Sequence, residues 1–277
     1  MRCPPIRKLD WLSAALEVAC DVYPAMDERA QRRALAELAD GVAREGLERL
    51  SPRRQAEELS AYLYELHGFR GNAKDYDDPR NSLINDVLER RKGIPISLAL
   101  VYTEVARVAG VMTHGVVFPG HFLVKVIDPV RPGDVDRSVF IDPYDGGRVL
   151  EPVDLSLLAE RTTGSAEVEP HWLARPSLAS VVTRMLNNLR SSYARRGDYP
   201  RLLVVLHRLC ELNPSSAPMV RDRGLIEARL GAVRSAVADL EQYLDLSPHA
   251  SDAQEIQTLI DDLLARIHRG ALRDALN

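Results

Sequence analysis

Two periodicities divide this chain of 277 residues. Along residues 9–20, Leu9, Leu12, Leu16 and Ala19 recur at helical spacing, and along 27–46 Ala30, Ala34, Leu38 and Val42 form a second stripe. A third helix is predicted over 52–67, with Ser51 as its cap and Pro52 at its first position. Gly68 to Asn72 ends it, and Asp75-Tyr76-Asp77-Asp78-Pro79 is turn chemistry. A helix from Asn81 or Ser82 to Arg91 follows, with Gly93 as its stop. Pro95 opens the next, 96–109, whose residues are apolar on most faces and which is therefore expected to be buried. After Gly110 the period shortens. Residues 111–118, 122–127 and 138–142 read as strands, 148–150 as a short return strand, and 128–138 as a polar connection. A helix at 154–162 and a Pro-rich stretch from Glu169 to Pro176 close this part, and the latter is the candidate boundary.

From Ser177 onward the pattern is helical and repeats. Gly197 and Gly231 are 34 residues apart, as are Pro214 and Pro248 and the apolar pair Leu206 and Leu240. A period of 34, with a small residue between two helices and a proline after the second, is the tetratricopeptide (TPR) pattern. Two repeats are present, and a helix at 252–268 is expected to cap them, since a terminal repeat must hide its apolar face.

Composition narrows the classes. With 36 basic and 40 acidic residues the net charge is -4, which supplies no general attraction to nucleic acid or acidic membranes. Three cysteines, at 3, 20 and 210, form neither a disulfide framework nor a metal-type spacing and fit a reducing compartment. No leader-like apolar run precedes Asp10 and no stretch approaches the roughly 20 apolar residues of a membrane span, so the expected location is the cytoplasm. No cofactor motif occurs.

The segments NSLINDVLERRKGIPISLALVYTEVARVAG (81–110), FPGHFLVKV (118–126) and FIDPYDGG (140–147), with LHGFRGNAKDYDDPRNS before them and the helical repeats after, resemble the SirB-type branch of the transglutaminase-like superfamily. The resemblance covers nearly the whole chain. It implies an α+β fold: a helical N-terminal section (1–80), a transglutaminase- or papain-like core of a buried helix and a small antiparallel sheet (81–170), then an all-α TPR-like domain (177–277). It also implies roles. His121 matches the superfamily's general-base histidine and Asp142 the acid that orients it. The nucleophilic cysteine falls at the start of helix 96–109, where this chain has Pro95, Ile96 and Ser97.

A thiol gains from a helix N-terminus because the dipole and free amides stabilise a thiolate. A serine hydroxyl does not ionise near neutral pH and needs a placed base and an oxyanion hole. Three classes therefore stay open. In one, the thiol-less cleft and the repeats hold a protein or peptide partner; in the second, Ser97, His121 and Asp142 form a hydrolase or acyl transferase; in the third, a regulatory adaptor, only the repeats bind and the core is packing. A structural role for His121, pinning two strands through Asp142, shares the same geometry, and Ser97 also reads as a first-turn serine. Cys20 reads as packing, and His121, Asp142 and His114 lack the spacing of a metal site. Asn81, Asn85 and Glu89 recur every four residues on one expected helix face, with Arg91 near its end. Asn81, Asn85 and Arg91 thus either line a cleft beside His121 or tie the N-terminal helices to the core. Oligomeric state is not legible in the residues.

Overall fold

The computed structural model describes residues 10–42, 46–130 and 137–275, with side chains as far as residue 269. Cys3, Leu9, the end of the stripe at 27–46 and the Pro132-Gly133-Asp134 part of the 128–138 connection lie outside the described residues.

The N-terminal stripes become α1 (Trp11–Val22) and α2 (Glu28–Asp40). Each is opened by an aspartate whose carboxylate accepts an orphan first-turn amide, Asp10 from Ser13 and Asp27 from Ala30. Ser51 caps α3 (Pro52–Ser60) with Pro52 in its first turn, and the chain continues as a π-helical turn, Ala61–Leu66.

A two-residue strand, β1 (Arg70–Gly71), pairs in parallel with β2 (Lys92–Gly93), which separates α4 (Ile84–Arg90) from α5 (Pro95–Val108). The predicted stop at Gly93 is thereby corrected. Helix α4 ends at Arg90, within one residue of the expected end at Arg91, and its cap is Arg91, which adopts a left-handed conformation (φ 56°) although it is not a glycine. The ladder is the reason: Arg91 and Gly93 give their carbonyls to the amides of Arg70 and Asn72, so 92–93 must be extended. The Arg91 guanidinium lies over the Phe69 ring, 4.7 Å from its centroid. Gly93 serves close approach instead, since a Cβ there would sit 2.6 Å from Ser97 Oγ.

Helix α5 is buried along nearly its whole length, as its apolar faces predict, and packs on β3 (Thr113–Phe118) and β4 (His121–Val126). With β5 (Val139–Asp142) and β6 (Arg148–Leu150) these form one antiparallel sheet in the order β3-β4-β5-β6. The sheet's second face carries Val116, Phe118, Leu123, Phe140 and Leu150, which bury against Leu155 and Ala159 of α6 (Pro152–Thr163) and against Trp172 and Leu173 of the strap that follows. The Pro-rich stretch is therefore packed on the sheet, its Trp172 meeting Phe118 edge to face at 5.7 Å. Burial of apolar side chains on both faces of a sheet is the main stabilising term of such a layer.

The chain divides into two compact units, Met1–Met185 and Leu186–Asn277, and the division falls within α7 (Leu178–Arg196). In the second unit α8 (Tyr199–Leu212) and α10 (Val233–Leu246) are 34 residues apart at both ends. Gly197 and Gly231 take left-handed φ values of 68° and 83° before them. Helix α9 (Ala217–Leu230) lies between, and α11 (Ala253–Ala275) closes the array by covering Val237, Leu240 and Tyr243 with Ile256, Ile260 and Leu263. Among the described residues no helix is long and apolar enough to cross a membrane.

Candidate functional site

His121 opens β4 immediately after the Pro119-Gly120 break, and Asp142 ends β5, so the sheet itself sets the two side chains side by side. His121 Nε2 lies 2.6 Å from Asp142 Oδ2. The other carboxylate oxygen accepts the amides of Tyr144 at 2.8 Å and Asp145 at 3.2 Å. Burial opposes the charge on Asp142, but the bond from His121 and these two amides outweigh it and hold the carboxyl below its ordinary value. An ionised Asp142 is acceptor-only, so the proton of the pair sits on Nε2 of the imidazole. Nδ1 then carries the lone pair, and it has no hydrogen-bond partner among the described residues. Both side chains are largely buried, at 17% and 9% exposure, which stiffens the pair without closing the histidine off.

An aromatic contact follows Asp142 in the turn after β5. Tyr144, two residues past Asp142, meets Tyr76 at 5.8 Å between centroids. Gly71 packs so tightly on Tyr144 that a Cβ would fall 2.7 Å from its ring, and Gly71 pairs with Gly93 on β2. Through that ladder the start of α5 is tied to the turn that follows Asp142. Arg184, whose guanidinium lies 5.9 Å from the Phe122 ring centroid, donates to the Phe118 carbonyl on the strand before His121.

The start of α5, where the resemblance leads one to expect a nucleophile, carries no thiol. Ser97 is 1% exposed. Its Oγ donates to the Asn81 carbonyl at 2.6 Å and accepts the Ile94 amide at 3.1 Å. The proton and one lone pair are thus committed to closing the first turn of α5 on the segment before α4. No bond joins Ser97 to His121 among the described residues. The thiol of Cys20 is pushed up, by burial first and then by Glu28, Asp21 and Glu17, and Cys210 is a buried core residue of the second unit. Neither has the electropositive setting that makes a reactive thiolate.

Asn81 is fully buried. Its amide group donates to the Asp75 and Tyr76 carbonyls, and its side-chain oxygen accepts from Asn72. It lies in a 3-10 turn, Pro79–Asn81, and Leu83 (φ -91°, ψ 121°) is extended before α4 begins, so Asn81 and Asn85 do not share a helix face. Asn85 is half-buried with its Oδ1 lacking a hydrogen-bond partner, while Arg91 is engaged with Phe69 as described above. Asn72, Asp78 and Tyr144 were not flagged by periodicity. Their signal is the polar turn 71–79, whose Asp78 receives both Arg80 and Arg90 and fixes the entry to α4. Among the described residues, no three His, Cys, Asp or Glu side chains converge in a way that would hold a metal ion.

Comparison with known proteins agrees with this architecture. The sequence profile of the Transglutaminase-like superfamily matches residues 29–187, and that of the Tetratricopeptide repeat matches 189–261. A UPF0162 protein of Xylella fastidiosa (strain Temecula1) is 35% identical over 269 residues, covering 92% of this chain and 90% of the relative. UPF0162 proteins of Vibrio cholerae and Pseudomonas aeruginosa are 26% and 29% identical, over 73% of each chain for the first and over 90% of this chain and 89% of the relative for the second. The chain belongs to the transglutaminase-like superfamily and to the UPF0162 proteins, and carries TPR helices after its core.

Proposed function

We propose that this protein is a thiol-less member of the superfamily, of the SirB-type branch, that works in the cytoplasm as a protein- or peptide-binding module. The observation that carries this reading is the state of Ser97: the hydroxyl nearest the nucleophile position is buried and spent on Asn81 and Ile94. A His-Asp pair without a nucleophile still presents a directed acceptor, Nδ1, and the turn that follows Asp142 carries Tyr144, whose ring meets that of Tyr76; aromatic rings and a placed acceptor suit an extended peptide. The repeats offer a second surface. A groove of about 310 Å³ between α7, α8 and α9 is lined by Leu202, Leu206, Leu225 and Ile226, with the Arg190–Asp222 ion pair (2.8 Å) on its rim. Stacked helical repeats present concave faces of this kind to partners.

A second reading rests on the open Nδ1. With Asp142 orienting it, His121 would serve as general base for a nucleophile brought by a substrate, which makes the protein an acyl transferase or hydrolase in which Ser97 has no part or must first be released. Peptides selected from a displayed random library against the full chain, then titrated by fluorescence anisotropy, separate the readings. Binding within about twofold in Ser97→Ala, with loss in His121→Ala or in the groove variant Leu206→Arg, supports the module; turnover of the bound peptide that disappears in His121→Ala overturns it.

A further inference from the structure

The sheet face opposite α5 holds a second, chemically distinct cavity. Its floor is one cross-strand row, His114 on β3, Lys125 on β4, Phe140 on β5 and Leu150 on β6, set by the register of the three ladders. Helix α6 and the strap at 168–175 supply the facing wall, and the cleft between them has a volume of about 950 Å³. Leu150, Leu155, Val168 and Leu173 make most of it apolar.

Lys125 is the anomaly. It is 6% exposed, set among the apolar residues that follow His121 on β4, and its ammonium has neither an ion pair nor a hydrogen bond among the described residues. Its neighbour is the Phe140 ring, whose centroid is 5.6 Å from the ammonium. A buried charge is retained at a cost unless something compensates it, and one ring face is a weak substitute for an anion. Burial lowers the proton affinity of this amine. Glu151 is the carboxylate among the described lining residues, and it is already bonded to Arg53 at 2.8 Å. Arg175 at the cavity mouth also lacks an ion pair among the described residues. His114 donates its Nδ1 hydrogen to the Gly115 carbonyl at 2.8 Å, which leaves Nε2 as its remaining polar atom.

We propose that this cavity is a binding site for a small organic anion, with its carboxylate or phosphate head on Lys125 and Arg175 and its apolar body between Leu150 and Leu173. The lysine in the floor then has the partner that none of the described residues supplies, and the aliphatic walls have something to cover. Size agrees, because clefts of about 300–1,000 Å³ hold ligands of small-molecule dimensions. The site lies on the face of the sheet packed by α6 and does not depend on the reading given for His121 and Ser97.

Calorimetric titration of the full chain with octanoate, octyl phosphate, octanol and inorganic phosphate tests the assignment. The expected result is that one or both of the octyl anions bind, with octanol and inorganic phosphate each weaker by at least about tenfold. Whichever octyl anion is tighter identifies the head group. Lys125→Met, which keeps the length and apolar stem, is expected to remove the preference for octanoate over octanol, and Arg175→Gln to weaken the anions severalfold. Methyl shifts should move at Leu150 and Leu173. No binding of either anion, equal binding of octanol, unchanged binding in both variants, or shifts confined to other residues would overturn the proposal. Arg175 is exposed, so its variant keeps the test decisive if Lys125→Met does not fold.

Discussion

Ser97 Oγ lies 2.6 Å from the carbonyl oxygen of Asn81, a contact that joins the first turn of α5 to the turn preceding α4. The same hydroxyl that stands nearest the nucleophile position is therefore a structural tie. Deleting it removes a buried bond and leaves the Asn81 carbonyl with the Ile94 amide alone, at 3.2 Å. Ser97→Ala is expected to cost about 1–2 kcal/mol of stability, as for loss of a buried hydrogen bond. Urea unfolding of both proteins measures this; no loss would mean that the tie is not formed in solution.

Gly93 fails to accept even a methyl group for the same reason. A Cβ at that position meets Ser97 Oγ at 2.6 Å and Leu98 at 3.0 Å, and both neighbours are buried. Gly93→Ala should destabilise the first unit by about 1–3 kcal/mol through overpacking. If thermal unfolding of the variant matches wild type, β2 does not approach α5 as closely as described.

Which parts of this arrangement the sequence announces depends on the range of the interaction. The 34-residue period at Gly197 and Gly231 is a local signal repeated, and it placed the TPR helices well. The apolar run of α5 announced its own burial in the same way. The end of α4 misled because Gly93 is a typical helix stop, whereas the parallel pairing of residues 70–71 with 92–93 is a long-range constraint that leaves no local trace. Asn81 was placed with Asn85 by a spacing of four, yet one extended residue, Leu83, breaks the helix between them. Lys125 is visible as a charge within FLVKV, but only the sheet register shows that it lies in the floor of a cleft. The nearness of His121 to Asp142 was expected from the resemblance, and the open Nδ1 required coordinates.

The His121–Asp142 pair fixes a tautomer. With an ionised carboxylate on Nε2, the neutral ring must carry its proton there. Asp142→Asn, with its amide nitrogen turned toward His121, offers a donor to Nε2 and should move the proton to Nδ1. Long-range nitrogen–proton correlation spectra of labelled protein distinguish the two tautomers directly. An unchanged tautomer in the variant would show that Asp142 does not set the ring's protonation.

Glu227 in the second unit gives a pH dependence of opposite sign to that of Asp142. Burial, then the nearby charge of Asp239, pushes its carboxyl up to about 7, and its Oε2 is buried without a hydrogen-bond partner. The folded chain thus holds a proton on Glu227 that the unfolded chain releases at lower pH, near the ordinary carboxyl value of 4.5. Its contribution is most favourable below that value, declines as pH rises and is fully lost above about 7. His207, 3.9 Å away and lowered by burial and by Arg223, slopes the other way, so the informative quantity is the difference between wild type and Glu227→Gln. The variant should gain on wild type as the pH is raised from 5 to 8, in midpoints of thermal unfolding (roughly the window between the two carboxyl values). A constant difference across that range would contradict the placement of Glu227.

For the central claim, that the site is not a serine nucleophile, intact-mass analysis of the full chain after treatment with a serine-directed fluorophosphonate is the most direct measurement. The prediction is no adduct on wild type, because Ser97 is buried and bonded to the main chain. An adduct that maps to Ser97 and disappears in His121→Ala would contradict it and make the protein a hydrolase of the Ser97–His121–Asp142 type.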